Sequence, residues 1–189
     1  MRKLMFTLLA LLMGVTVSAQ SADKLYEQGK ALYDAEKYKE AVPKLRQAAE
    51  KGHKKAQYRL GRCYDKGRGV EENDEKAVEW YRKSAAQDYH KAQYELGKCY
   101  KNGEGVKKDR KKAVELFIKA ARQDNAEAQY ALGKSYLKGK GIAADEKKAR
   151  QWLRKAVNNP KGGKDILADI RKDAAEGDED AKTILKMVK

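Results

Sequence analysis

Ala56-Gln57-Tyr58-Arg59-Leu60-Gly61 recurs as Ala92-Gln93-Tyr94-Glu95-Leu96-Gly97 and again as Ala128-Gln129-Tyr130-Ala131-Leu132-Gly133, at a spacing of 36 residues both times. A fixed period of this length marks a repeat architecture, in which each unit buries its apolar face against the next. The same shift carries Tyr64 to Tyr100 and Tyr136, and Gly67-x-Gly69-Val70 to Gly103-x-Gly105-Val106 and Gly139-x-Gly141-Ile142. It also carries Ala77 to Ala113 and Ala149, and Trp80 to Leu116 and Trp152.

Each unit reads as two helices. Apolar and small residues at 56, 60, 61, 63 and 64 keep helical spacing, and Gly67 then supplies a left-handed stop. The second helix begins after Asn73, Asp109 or Asp145, which share one repeat position and are good N-cap residues. It continues through Ala77, Trp80, Tyr81 and Ser84. Small residues at Gly61 and Ala77 allow the two helices to approach closely. Residues 22–50 are a shorter helix pair in which the four-residue loop insertion is missing, with Pro43 inside its second helix. After Val157 the run Asn158-Asn159-Pro160-Lys161-Gly162-Gly163 is a loop, and Lys164–Glu176 and Asp178–Lys189 read as two charged capping helices. The expectation is five helix pairs in one all-α, right-handed solenoid.

The run Ala-Gln-Tyr-x-Leu-Gly-x-x-Tyr-x-x-Gly-x-Gly-Val, followed by Ala-Val-Glu-Trp-Tyr-x-Lys-Ser-Ala, resembles the Sel1-like repeat. That family is related to the tetratricopeptide repeat and has a longer inter-helix loop. The expected organisation is a leader over 1–19, a tetratricopeptide-like pair over 20–51, three Sel1-like repeats over 52–157 and a cap over 158–189. The resemblance implies an α/α superhelix whose first helices line a concave face used for protein binding, with members acting as adaptors.

The leader has its own signal. Arg2 and Lys3 precede the apolar run Leu4 to Val17, and Val17-Ser18-Ala19-Gln20 supplies a small-x-small end. This reads as a secretory signal cleaved after Ala19, too short to span a bilayer. The protein is therefore expected outside the cytoplasm, periplasmic or secreted. Its 43 Lys and Arg against 28 Asp and Glu give a formal charge of +15, which falls to +13 once Arg2 and Lys3 are removed. Export argues against nucleic acid as the target of that charge. An acidic protein segment, an anionic envelope polymer or a membrane surface remains.

Positions that vary without breaking the fold should carry the partner information. One residue after each repeat glycine stand Lys30, Arg62, Lys98 and Lys134, and three residues before it stand Tyr26, Tyr58, Tyr94 and Tyr130. These lie one turn apart on the first helices and should form two parallel ladders. Phenol rings beside cations suit an extended acidic segment. Packing between repeats would equally account for the tyrosines, and plain solvation for the lysines.

Material for catalysis is thin. The two His and two Cys show no metal-ligand spacing, and no cofactor is expected. Cys63 and Cys99 sit one repeat apart, further than a disulfide reaches, and read as buried thiols. The Gly-x-Gly loops lack the following Gly-Lys-Ser/Thr of a phosphate cradle. No Ser-x-x-Lys stands out among Ser21, Ser84 and Ser135, which leaves a cell-wall hydrolase as a remote third function after scaffold and polyanion binder.

Overall fold

A computed structural model describes residues 20–189, so the expected leader, residues 1–19, lies outside the described residues. The described chain is a row of helix pairs: α1 (Ala22–Asp34) with α2 (Tyr38–Glu50), α3 (Lys54–Asp65) with α4 (Asp74–Ala85), and α5 (His90–Asn102) with α6 (Arg110–Arg122). α7 (Ala126–Lys138) with α8 (Glu146–Val157), and α9 (Gly163–Ala175) with α10 (Glu179–Val188), complete it. Each second helix packs on the first helix of the following pair, and among the described residues there is no strand. The result is an all-α solenoid with one core running along its length. The last turn differs, because α10 also packs directly on α8 and closes a small separate cluster of Leu153, Ile170, Ala181, Ile184 and Met187.

The local signals act as their chemistry requires. The carboxamide or carboxylate of Asn73, Asp109 and Asp145 accepts from the backbone N–H of Lys76, Lys112 and Lys148, at 2.8, 2.9 and 2.9 Å. Gly103 and Gly139 end their helices at φ +89° and +61°. α2 runs on through Pro43. The short turn between pairs needs a left-handed residue at position 52, 88 or 124, filled by Gly52, Asp88 and Asp124.

The pairs are tied by a buried amide chain. The Gln57, Gln93 and Gln129 side chains each donate to a carbonyl of the preceding helix, from Ala49, Ala85 and Ala121. Their carbonyl oxygens accept from the amides of Gln87, Gln123 and Asn159, at 2.8, 2.9 and 3.0 Å. A buried amide is tolerated only when its groups are paired, so this chain fixes register at every seam.

His53 caps α3 with its Nδ1, which accepts from the Ala56 N–H at 3.1 Å, while its ring stacks on Tyr26 with centroids 4.2 Å apart. Burial pushes the imidazole below its ordinary value, with Asp23 opposing and Lys55 reinforcing. The unfolded chain therefore binds a proton that the folded chain refuses. Stability is full at neutral pH and falls as pH drops through the ordinary histidine value toward the lowered one. His53→Asn keeps an acceptor, as Asn125 does at the equivalent place on α7. Its urea midpoint should drop less between pH 7.5 and 5 than that of the parent protein, and an equal drop would show that His53 does not contribute. His90, also pushed down by burial, leaves a residual slope in both.

Candidate functional site

Tyr26, Tyr58, Tyr94 and Tyr130 fall on α1, α3, α5 and α7, one per pair, each one turn before its cation. They are not free surface rings. Tyr26 is buried against His53, Tyr58 lies between Tyr81 and Tyr89 at 6.1 and 5.3 Å, and Tyr94 faces Phe117 at 5.9 Å. Burial pushes the Tyr58 and Tyr130 phenols up to about 12 and raises Tyr94 as well. The cations lie back along their own helices. Lys98 sits 5.6 Å from the Tyr94 ring centre and Lys134 5.1 Å from that of Tyr130, while Arg62 neighbours Tyr58. Two of the four are already matched by acids, Lys30 by Asp34 at 3.0 Å and Lys98 by Glu95 at 2.8 Å.

The first helices do not present a uniform basic strip. The structure gathers Tyr94, Tyr130 and Lys134 around a cleft of about 430 Å³ between α5 and α7, floored by Ala113, Val114 and Phe117 of α6. Its rim adds Lys101, Lys108, Arg110, Lys138 and Lys140, against a single acid, Glu127. The lysines crowd one another. Lys101 is pushed below the ordinary amine value by burial and then by Lys134 and Lys98, so charge here is short of counter-ions. Lys138 has one, the Asp180 carboxylate of the cap. An apolar floor inside a ring of cations accommodates an apolar group carrying negative charge beside it. Tyr26, Lys30, Tyr58, Arg62 and Lys98 lie outside this lining. Reading by period passed over Lys101, Lys108, Arg110 and Lys140 because their charge does not hold through all three repeats. A comparison of charges at offsets of 36 would have flagged them.

The cysteines and serines weighed for chemistry hold structural places. Cys63 and Cys99 are buried free thiols, pushed by burial up to about 11 and about 12, far from a reactive thiolate. Among the described residues no group of three His, Cys, Asp or Glu is placed to hold a metal ion. The serine reading needs correction, since Ser21 and Ser135 do stand three residues before Lys24 and Lys138. Neither pair is a nucleophile with its base. The Ser21 hydroxyl caps α1 by accepting from the Lys24 backbone N–H at 3.2 Å. The Ser135 hydroxyl donates to the Ala131 carbonyl at 2.8 Å, and the Lys138 ammonium is held by Asp180.

The Sel1 repeat family matches residues 54–89, 90–125 and 126–160. No curated protein matches the chain. Among solved structures, the Sel1 repeat protein of Oxalobacter formigenes is 38% identical, with a TM-score of 0.70 over 76% of this chain and 58% of its own. The protein c5321, a protective antigen of uropathogenic Escherichia coli strains displaying an SLR fold, is 33% identical, with a TM-score of 0.72 over 76% of this chain and 32% of its own. The chain thus spans 58% and 32% of the lengths of these two proteins. Helicobacter pylori cysteine rich protein B, at 24% identity and a TM-score of 0.50 over 74% of this chain and 93% of its own, shares the fold. Among the described residues no helix is long and apolar enough to cross a membrane. Three matched units in tandem, each folded as a helix pair with the same caps and the same amide seam, show that the chain belongs to the Sel1 repeat family.

Proposed function

We propose that the protein is an exported, non-catalytic scaffold that binds an acidic segment of a protein partner along the concave face built by α1, α3, α5 and α7. Sel1 repeats typically serve as protein-interaction scaffolds. The observation that carries the reading to this chain is the cation-rimmed, apolar-floored cleft between α5 and α7. Export rests on the leader sequence.

Replacing Arg62, Lys98 and Lys134 with Glu puts three acids on the first helices without touching the core. Immobilised protein exposed to envelope extract of its source cells at physiological salt should retain one or a few proteins in fixed stoichiometry, and the triple variant should lose them. Retention by the folded variant as well would remove these helices from the binding surface. The net charge supports a second reading, a binder of anionic envelope polymer or membrane surface. That binding would fall smoothly as salt rises and would tolerate single substitutions.

A further inference from the structure

Stepping back 36 residues from the cleft between α5 and α7 reaches the equivalent place between α3 and α5, where the charges are reversed. Lys101 corresponds to Asp65, Lys108 to Glu72, Arg110 to Asp74 and Lys140 to Glu104. Ala131 corresponds to Glu95, and the one acid of the cleft, Glu127, to Lys91. Lys134 keeps its sign as Lys98 and Asn102 becomes Lys66, and these two lysines pair with Glu95 at 2.8 Å and Asp65 at 3.3 Å, which leaves Glu72, Asp74 and Glu104 as the uncompensated acids. The frame stays the same, with Tyr58 for Tyr94 on the wall and Tyr81 for Phe117 on the floor.

The acidic groove has a feature its neighbour lacks. Tyr81 is 1% exposed, and its hydroxyl has no hydrogen-bond partner among the described residues. Its ring lies 6.1 Å from that of Tyr58 and packs on Gly61, as Phe117 packs on Gly97 beneath the basic cleft. A buried phenol without a partner is costly, and nothing in the core requires it, because Phe117 fills the same place in the next repeat. The face therefore changes sign from the place between α3 and α5 to the cleft between α5 and α7.

Stacked helices lie about 8–10 Å apart, roughly three residues of extended peptide. That exceeds or matches the screening length of about 8 Å at physiological salt, so each groove is sensed separately by a bound chain. We propose that this face reads a charge-segregated peptide. A short acidic stretch seats an apolar side chain against Tyr94 and Tyr130 between α5 and α7, and an adjoining basic stretch lies over the exposed Glu72, Asp74 and Glu104 at the groove between α3 and α5. The proposal rests on the concave face being the protein-binding surface and adds the charge order of the ligand. A uniformly acidic segment fits the cleft and is repelled by the acids of the preceding groove.

Three labelled peptides test this by fluorescence anisotropy on the purified protein at physiological salt. One has three glutamates around a phenylalanine followed by three lysines. The second has the same composition with the charges interleaved, and the third has glutamate in place of every lysine. The segregated peptide should bind at least tenfold tighter than either of the others. The combined variant Lys101→Asp, Lys108→Glu, Arg110→Asp and Lys140→Glu installs residues that the neighbouring repeat already carries, so the backbone accommodates them. It should keep its helical signal and lose at least tenfold in affinity for the segregated peptide. If that variant does not fold, Asp65→Lys with Glu104→Lys serves instead, and should shift preference toward the all-acidic peptide.

Equal binding of segregated and interleaved peptides, or no binding of any peptide, overturns the charge order. All-acidic binding that is as tight as segregated binding, and is lost in the combined variant, overturns the charge order while the acid-binding face stands. Segregated binding that survives the combined variant removes both.

Discussion

Gly105→Ala should destabilise the fold by about 3 kcal/mol. Gly105 sits at φ +61°, and a Cβ there would stand 2.3 Å from the backbone carbon and oxygen of Asp74 and 2.7 Å from the Glu75 nitrogen. The left-handed conformation alone costs an alanine about 1 kcal/mol. The rest arises because the obstacle is backbone at the start of α4, which cannot swing aside as a side chain could, and overpacking of this kind costs about 1–3 kcal/mol. Gly69 rests on Tyr38 and Gly141 on Arg110 in the same manner, with a Cβ falling 2.5 and 2.2 Å from their backbones. Gly52→Ala is the control, because Gly52 has φ +87° and nothing within 4 Å of its added carbon. It should cost about 1 kcal/mol, the conformational part alone. Urea unfolding of the two variants separates the contributions, and equal midpoints would show that these loops do not set the seam between repeats.

Phe117→Ala should cost about 4 kcal/mol, in the range for emptying a large, fully buried aromatic site. Phe117 is 1% exposed and faces Gly97, whose added Cβ would lie 2.6 Å from the ring. The same pairing recurs as Gly29 with Leu45, Gly61 with Tyr81 and Gly133 with Leu153, so glycine on one helix makes room for a large residue on the other. Two further results follow. Phe117→Leu should cost under about 1.5 kcal/mol, since leucine already fills this place in the first and fourth pairs. Gly97→Ala should destabilise the parent protein yet stabilise the Phe117→Ala variant. Without the ring its nearest neighbour is the Ala113 carbonyl at 3.3 Å, and alanine is the better helix former by about 1 kcal/mol. A double-mutant cycle that shows the same sign for Gly97→Ala in both backgrounds would refute the complementarity.

The helix pairs were legible because each boundary has a chemical marker that repeats. Asn73, Asp109 and Asp145 announce their helices, and the first glycine of each Gly-x-Gly ends the one before. The amide seam was harder to read. Gln57 and Gln87 are 30 residues apart within one repeat, and Gln57 also donates across the joint to the Ala49 carbonyl of the preceding one, so each looks like an ordinary polar residue until the helices pack. The candidate site divided along the same line. Tyr94, Tyr130 and Lys134 keep the period, while Lys101, Lys108, Arg110 and Lys140 each change charge in at least one other repeat. Position in the repeat also could not say whether a tyrosine is exposed or packed. Tyr58 and Tyr94 do both, with one edge against a core ring and the other toward the groove.

Because the three seams among the first four helix pairs are made the same way, a glycine of one loop on the first turn of the preceding unit's second helix and an amide donated across the joint, these units can sit beside one another in any order. Duplicating or deleting a block of 36 residues would therefore preserve every joint and change only the order in which the charged grooves follow one another. The architecture separates what holds the chain together from what it says to a partner. A lineage can rewrite or lengthen the message one unit at a time, with no new solution to folding required.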